Sequence, residues 1–180
     1  MRLCLFIICL VLAGCGQKPL PVIGDVPAFQ LTDHLGRTFS SSTLKGHVWV
    51  ADFVFTNCEG PCPRMSSRMR ALQDKTDSAV KLISFTVDPA RDTPQVLGEY
   101  AKKFGNDSSR WLLLTGEVAT LNMLDQDAFK LGSIGGDIEH STHFALVDKK
   151  GQIRGFYGLS AGDPVAKIAR DAERLEKESS

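Results

Sequence analysis

Two cysteines, Cys58 and Cys62, are separated by three residues at a junction between two contrasting segments of the chain. The mostly apolar run at residues 48–55 predicts a buried strand, and residues 64–75 predict a helix. A strand-to-helix junction presents free backbone N–H groups and the positive end of a helix dipole, which stabilise a thiolate relative to a thiol. The pair is therefore expected to be reactive or metal-binding near neutral pH.

The spacing of the two sulfurs fits one shared metal ion or a bond between the sulfurs, and Pro61 and Pro63 stiffen the loop. Soft thiolates favour Cu(I), Zn(II) or iron–sulfur chemistry, with histidine the usual third ligand. Closed zinc sites take four Cys or His ligands, and an iron–sulfur cluster needs more thiols than Cys58 and Cys62, which are the only cysteines after residue 15. Copper held by two cysteines and one histidine is the economical interpretation. A structural disulfide is the alternative, although closing so short a loop stabilises a domain little.

Four histidines are candidates for the third ligand. His34 and His47 lie in the early hairpin and before the central strand, where exposed side chains are expected. His140 and His143 flank a Ser-Thr pair just before a predicted strand at residues 144–147. From the residues alone, either of these two could lie near the Cys loop.

The N-terminus combines Arg2 with an apolar run at residues 3–12 that is too short to span a bilayer, which is typical of a secretory signal. The sequence LAGC that ends at Cys15 resembles a bacterial lipoprotein cleavage site. That resemblance implies a signal peptide at residues 1–14, acylation of Cys15, and a lipid-anchored tether at residues 15–27. The protein is then extracytoplasmic, periplasmic or on the outer face of the cell membrane, and its membrane contact is the lipid anchor.

The composition, with 43% hydrophobic and 23% charged residues in 180, is that of one globular domain, here residues 28–175, followed by frayed residues 176–180. The formal charge is zero, and no basic stretch with interleaved aromatic residues occurs, so a nucleic-acid partner is not expected.

The hydrophobic pattern alternates strands with helices after an early β-hairpin, in which Gly36 should take a positive φ. Asp52 is the polar exception in the central strand. The pattern predicts an α/β fold, a thioredoxin-like sandwich with an N-terminal β-hairpin and an inserted loop or hairpin before the last strands. Further strands are expected at residues 80–87, 111–114, 144–147 and 153–157, further helices at 94–104, 117–129 and 165–175, and a loop at 130–139.

Three motifs resemble the SCO/SenC family over nearly all of residues 25–175: FTNCEGPCP at 55–63, SFTVDPARDTP at 84–94, and EHST at 139–142. The resemblance implies a thioredoxin-fold, membrane-tethered protein that binds copper, as Cu(I) and Cu(II). It also implies a role as a copper chaperone in assembly of the dinuclear CuA centre of cytochrome c oxidase. The implied partner is oxidase subunit II or another copper-accepting protein.

The same resemblance implies that Cys58, Cys62 and His140 hold the metal. In the family the ligand histidine precedes Ser or Thr and stands eleven residues before a turn glycine, here Gly151, which selects His140 over His143. Asp88 matches an acidic residue that supports the ligands or a partner protein, although a turn residue ahead of a proline is the plainer interpretation. Glu59 departs from the family pattern, which often has proline there.

Two other functions fit the same residues. A thiol–disulfide reductase would use Cys58 and Cys62 as its redox pair, making the protein an enzyme. Reductases of the thioredoxin fold resemble one another in a shorter Cys-x-x-Cys motif and a later proline facing it, and this chain has no proline between Pro94 and Pro164. Peroxiredoxins share the early hairpin, but they carry Thr or Ser where this chain has Phe55, three residues before the reactive cysteine.

Overall fold

A computed structural model of the chain describes residues 18–130 and 142–178. In this part of the chain, eight strands form one mixed sheet in the order β1-β8-β7-β4-β5-β6-β2-β3. The strands are β1 (Gly24–Asp25), β2 (Gln30–Asp33), β3 (Thr38–Ser40), β4 (Trp49–Val54), β5 (Lys81–Thr86), β6 (Trp111–Thr115), β7 (His143–Val147) and β8 (Gln152–Gly158). The helices are α1 (Cys62–Lys75), α2 (Pro94–Lys103), α3 (Val118–Asn122), which continues as a π-helical segment (Met123–Ala128), and α4 (Val165–Lys177).

The central strands β4, β5 and β6 are parallel, and all six residues of β4 are buried, as a continuous apolar run predicts for a strand covered on both faces. Strand β7 pairs antiparallel with β4, with Ala51 opposite Ala145. The carboxyl ends of β4 and β5 and the amino end of β7 therefore lie at the same end of the strands. We call this end of the sheet the Cys edge, because the loop bearing Cys58 leaves β4 there.

The two faces of the sheet carry separate cores. On one, the helix face, residues of α1, α2 and α4 pack against strand residues such as Val50, Val54 and Phe144. The opposite face carries an aromatic cluster to which residues of α3, the π-helical segment and strands β2 and β3 also contribute. The rings of this cluster include Phe29, Phe53, Phe85 and Phe129.

The predicted α/β sandwich and N-terminal hairpin are confirmed, and Gly36 has a φ of 79°. The predicted helix at 117–129 is present as α3 and its π-helical continuation. The loop or hairpin predicted before the last strands lies almost entirely outside the described residues. No helix in the described ranges has both the length and the apolar character to cross a bilayer.

Contacts with the folded domain also occur outside the predicted limits, residues 28–175, at both ends. The domain begins before residue 28, because β1 pairs with β8 and the N–H of Ile23 donates to the carbonyl of Ile153. At the other end, the predicted fraying of residues 176–180 stays a prediction. Helix α4 extends to Lys177, and the carboxylate of Glu178 lies 3.0 Å from the buried guanidinium of Arg154, which requires a counter-charge.

Candidate metal centre

The Cys loop is the seven-residue connection at positions 55–61 between β4 and α1. Helix α1 begins at Cys62, two residues earlier than the sequence predicts, so the second cysteine lies in its first turn. Pro63 also lies in that turn, where a missing N–H costs no intrahelical hydrogen bond. The loop is therefore fixed at one end by a fully buried strand and at the other by the start of a long helix.

The two thiols are unequal in exposure. Cys62 is completely buried in the core of the helix face, whereas Cys58 is half-buried and packs against the same core. Both are free cysteines, and their side chains are hydrogen-bonded to each other. A metal or a partner sulfur approaching from outside therefore meets Cys58 first.

Burial raises the pKa of the Cys62 thiol to about 12. The hydrogen bond with Cys58 and the nearby carboxylate of Asp52 act in the same direction, and the backbone N–H of Phe55 opposes them. The expected stabilisation of a thiolate at the helix start is therefore wrong for Cys62, because desolvation outweighs the backbone donor. Cys62 is a neutral thiol at neutral pH unless a cation arrives to compensate the charge of its thiolate.

Asp92 ties the Cys loop to the neighbouring strand. Its buried carboxylate accepts hydrogen bonds from the Thr56 N–H at 3.2 Å, from the Thr56 hydroxyl at 2.5 Å and from the Thr86 hydroxyl at 2.5 Å. Thr56 lies two residues before Cys58, and Thr86 ends β5. Asp92 thus fixes the start of the Cys loop at the Cys edge.

The sequence alone does not reveal this role, because Asp92 and Thr93 both stand just before Pro94 and either could cap α2. Thr93 is the cap, accepting a hydrogen bond from the N–H of Val96 at 3.3 Å. A hint in the sequence is that two residues able to cap a helix precede Pro94, although a helix needs only one N-cap residue. The other residue, Asp92, is then available for a different hydrogen-bond partner.

Asp88, the predicted supporting residue, also lies after β5 at the Cys edge. Its carboxylate pairs with the exposed guanidinium of Arg91 at 2.7 Å, and its backbone N–H donates to the Thr86 hydroxyl. The contact to the Cys loop comes from Asp92, four residues further along.

His140 lies outside the described residues, so its predicted place beside the two thiols stays a prediction. His143 is the exposed first residue of β7. Its neighbour Phe144 belongs to the helix-face core together with Cys62, so strand alternation directs His143 to the opposite face. There its ring lies against Gly158, where an added Cβ would stand 2.9 Å from Nε2.

His34 was expected to be a surface side chain, and that prediction is wrong. It is buried, with Nδ1 accepting a hydrogen bond from the Leu113 N–H and Nε2 bonded to the Ser108 hydroxyl at 3.0 Å. Burial lowers the pKa of His34, so its ring is neutral at physiological pH. Among residues 18–130 and 142–178, no three His, Cys, Asp or Glu side chains are grouped to hold a metal ion.

A second polar group lies on the helix face of β4. Asp52 is fully buried, and its Oδ1 accepts a hydrogen bond from the Ser84 hydroxyl at 2.5 Å. The Ser84 oxygen in turn accepts one from Trp111 Nε1 at 2.9 Å. Within the described structure Oδ2 of Asp52 has no hydrogen-bond partner, and burial raises the pKa of this carboxyl to about 7.

Comparison with known proteins identifies the family. The family model described as SCO1/SenC matches residues 24–176. The chain belongs to the SCO1/SenC family.

Solved structures of Sco proteins agree with this assignment. A SCO1/SenC family lipoprotein from Bacillus anthracis is 37% identical, with a TM-score of 0.75 over 86% of this chain and 96% of that one. BsSco, described as a member of the Sco family of cytochrome c oxidase assembly proteins and as carrying a disulfide switch, is 30% identical, with a TM-score of 0.80 over 91% of this chain and 100% of its own. ScoI from Bradyrhizobium japonicum with copper bound is 26% identical, with a TM-score of 0.66 over 85% and 99% of the two chains. The predicted thioredoxin-like fold is thereby confirmed for this Sco protein.

The buried Asp52 predicts an unusual pH dependence of stability. The pKa of Asp52 is about 7 in the folded protein and 3.8 for an unperturbed carboxyl, as in the unfolded chain. Between these two pH values the folded state binds more protons than the unfolded state, so the unfolding free energy falls as the pH rises. The full loss is about 4 kcal/mol. Asp52→Asn should remove this loss, so urea unfolding at a series of pH values should show the variant gaining on the wild type from pH 4 to pH 8. Asp74→Asn, at an exposed carboxylate of α1, is the control. Parallel curves for wild type and Asp52→Asn would contradict the assignment.

The Asp92 contacts predict a loss of stability that its neighbour does not share. Asp92→Ala leaves the part-buried N–H and hydroxyl of Thr56 and the buried hydroxyl of Thr86 without their acceptor, which should lower the unfolding free energy by about 2–4 kcal/mol. Asp88→Ala removes only an ion pair with an exposed Arg91 and should cost less than about 1 kcal/mol. Chemical denaturation of both variants measures the difference, and equal losses would show that Asp92 does not hold the loop.

Proposed function

We propose that this Sco protein is an extracytoplasmic copper chaperone that delivers copper to the CuA centre of cytochrome c oxidase during assembly. Cys58, Cys62 and His140 are the proposed ligands. The observation that carries the proposal is the pair of mutually hydrogen-bonded free thiols at the Cys edge, one accessible and one buried, in a SCO1/SenC chain.

The donor set suits copper as cargo. Two thiolates and a neutral imidazole give the Cu(I) site a net charge of −1 and leave the Cu(II) site neutral, so both oxidation states are electrostatically tolerable. Soft sulfur donors favour Cu(I) over hard cations. Exposure of Cys58 leaves one ligand open to exchange with a receiving protein, as delivery requires.

His140 is favoured over His143 by the chain path as well as by the family motif. His143 opens β7 at the Cys edge, and strand alternation directs its side chain away from the helix face. His140 stands three residues earlier, so chain connectivity keeps it within about 11 Å of that edge. No group of three His, Cys, Asp or Glu side chains occurs within residues 18–130 and 142–178, which agrees with a third ligand supplied by the segment containing His140.

The relatives support the rest of the proposal. Copper is bound by the B. japonicum protein, oxidase assembly is attributed to the family of BsSco, and the B. anthracis relative is a lipoprotein. The proposed partner is therefore oxidase subunit II or another copper-accepting protein. The proposed membrane attachment is a lipid on Cys15, and Asp88 is proposed to face the partner rather than the metal.

Copper titration of the protein should show one copper bound per chain, with thiolate-to-Cu(II) charge-transfer absorption and a matching electron paramagnetic resonance signal. Cys58→Ser, Cys62→Ser and His140→Ala should each lose most of this binding, because each removes one of three ligands. His143→Ala is the matched control and should bind like the wild type. Full copper retention in any of the first three variants would contradict the ligand set.

A second function is favoured by one observation: an accessible thiol paired with a buried one is the arrangement of a dithiol that forms a mixed disulfide with a target and then closes on itself. Thiol–disulfide reduction of an oxidase subunit or another secreted protein is this alternative. An insulin-reduction assay of the copper-free protein should show only slow turnover if copper delivery is the main function. Rapid turnover that His140→Ala leaves unchanged would favour the reductase instead.

A further inference from the structure

The segment after Lys18 is fastened to the domain by a buried arginine. The Arg154 guanidinium donates to the Leu20 carbonyl at 2.6 Å from Nη2, and its Nε lies 3.2 Å from the carbonyls of Leu20 and Pro21. The same guanidinium is fixed by Asp148 at 2.7 Å and by Glu178 at 3.0 Å. Charge-assisted hydrogen bonds of this kind, made by a side chain only 7% exposed, hold the backbone in one place.

Two further contacts extend this attachment along the chain. Arg174 of α4 donates from Nη2 to the Lys18 carbonyl at 2.5 Å. Ile23 and Val26 continue the ladder beside β8 through their N–H groups, at 2.8 and 2.9 Å from the carbonyls of Ile153 and Gly151. The chain from Lys18 onward is thus part of the folded domain, and it lies along the β1 edge of the sheet.

This edge exposes apolar side chains. Val22 is 56% and Ile23 50% exposed, and Lys18 adds an exposed cation. Successive side chains of an extended chain point to opposite faces of the sheet, so Val22 and Ile23 point to different faces. One surface can cover both side chains only if it contacts the β1 side of the sheet and not either face. Apolar side chains with a neighbouring cation suit a lipid interface that carries anionic headgroups.

The length of chain upstream identifies what covers this edge. Cys15, the lipidated residue of the proposed function on which this inference rests, stands three residues before Lys18. Three residues span at most about 11 Å, so the anchor enters the bilayer directly beside Lys18. We propose that the β1 edge, together with Lys18, Val22 and Ile23 in the segment that leads into β1, lies on the bilayer that holds the anchor.

This contact fixes the direction of the metal site. Three strand-to-strand spacings separate β4 from β1 in the sheet. The start of the Cys loop therefore lies about 14 Å across the sheet from the membrane-facing strand. With β1 lying on the bilayer, the strand axes run along the membrane surface. The Cys loop, at the ends of the strands, then opens sideways toward an acceptor site on a protein seated in the same membrane.

The test uses the full lipoprotein, purified from membranes and reconstituted into vesicles of phosphatidylcholine and phosphatidylglycerol containing headgroup-region nitroxide lipid. The native Trp49 and Trp111 are buried, so a tryptophan added at an exposed position dominates the quenchable emission. Ile23→Trp, and separately Val22→Trp, should shift to shorter wavelength on vesicles and lose most of the added emission. Leu35→Trp is the matched control, because Leu35 is 51% exposed in the β2–β3 turn at the opposite edge of the sheet, and it should show neither change.

The outcomes separate this inference from the proposed anchor. A protein that fails to float with the vesicles lacks the lipid, which overturns the anchor and this inference together. A protein that floats but shows equal quenching at residues 23 and 35 overturns only the membrane-facing edge. Absence of quenching at residue 23 together with self-association on the vesicles would assign the edge to a second copy of the chain and would also overturn it.

Discussion

The Cys edge depends on one buried carboxylate that joins the ends of two parallel strands. Parallel pairing of β4 and β5 aligns their backbones only as far as Val54 and Thr86. Beyond that point the chain must pass through a seven-residue loop before α1 begins. The Asp92 carboxylate accepts hydrogen bonds from the Thr56 N–H and from the hydroxyls of Thr56 and Thr86. These bonds fix the direction in which the loop leaves the sheet. The spacing of the two thiols and the approach of any third ligand both follow from that direction.

The environment beneath α1 disfavours negative charge. Burial raises the pKa of both Cys62 and Asp52, and Oδ2 of Asp52 has no hydrogen-bond partner among the residues described. A carboxylate and a thiolate in one poorly solvated region repel each other, so neither ionises readily beside the other. A bound cation reverses this relation, because it replaces the missing solvent as the source of compensating charge. The same burial that makes Cys62 a poor free nucleophile therefore suits it to hold a metal ion.

The sequence predicts the parts of this protein that depend on local pattern. The apolar run of β4, the turn at Gly36 and the position of the Cys pair at a strand-to-helix junction are all read from neighbouring residues. What it misses depends on partners far apart in the chain. Asp92 meets Thr56 across 36 positions, and Arg154 meets Leu20 across 134. His34 is a further example, because a histidine in a turn is predicted to be exposed. Its burial depends on hydrogen bonds to the Leu113 N–H and the Ser108 hydroxyl, which are distant in the sequence.

The unequal exposure of the two thiols sets an order of events that either proposed function can use. An incoming metal or target sulfur reaches Cys58 first, because Cys62, the first residue of α1, is completely buried. Cys62 joins only when its sulfur gives up its proton, and a bound cation favours this by compensating the charge of the thiolate. In a mixed disulfide, the Cys62 sulfur bonds to Sγ of Cys58, the bond from Cys58 to the target sulfur breaks, and the departing target thiolate takes up the proton. Release to a receiving protein begins at Cys58 for the same reason, because it is the accessible sulfur of the pair. The chemistry of the pair alone therefore does not separate delivery from reduction. The separation rests on the third ligand, because an imidazole beside both sulfurs completes a three-coordinate copper site but contributes no atom to a disulfide.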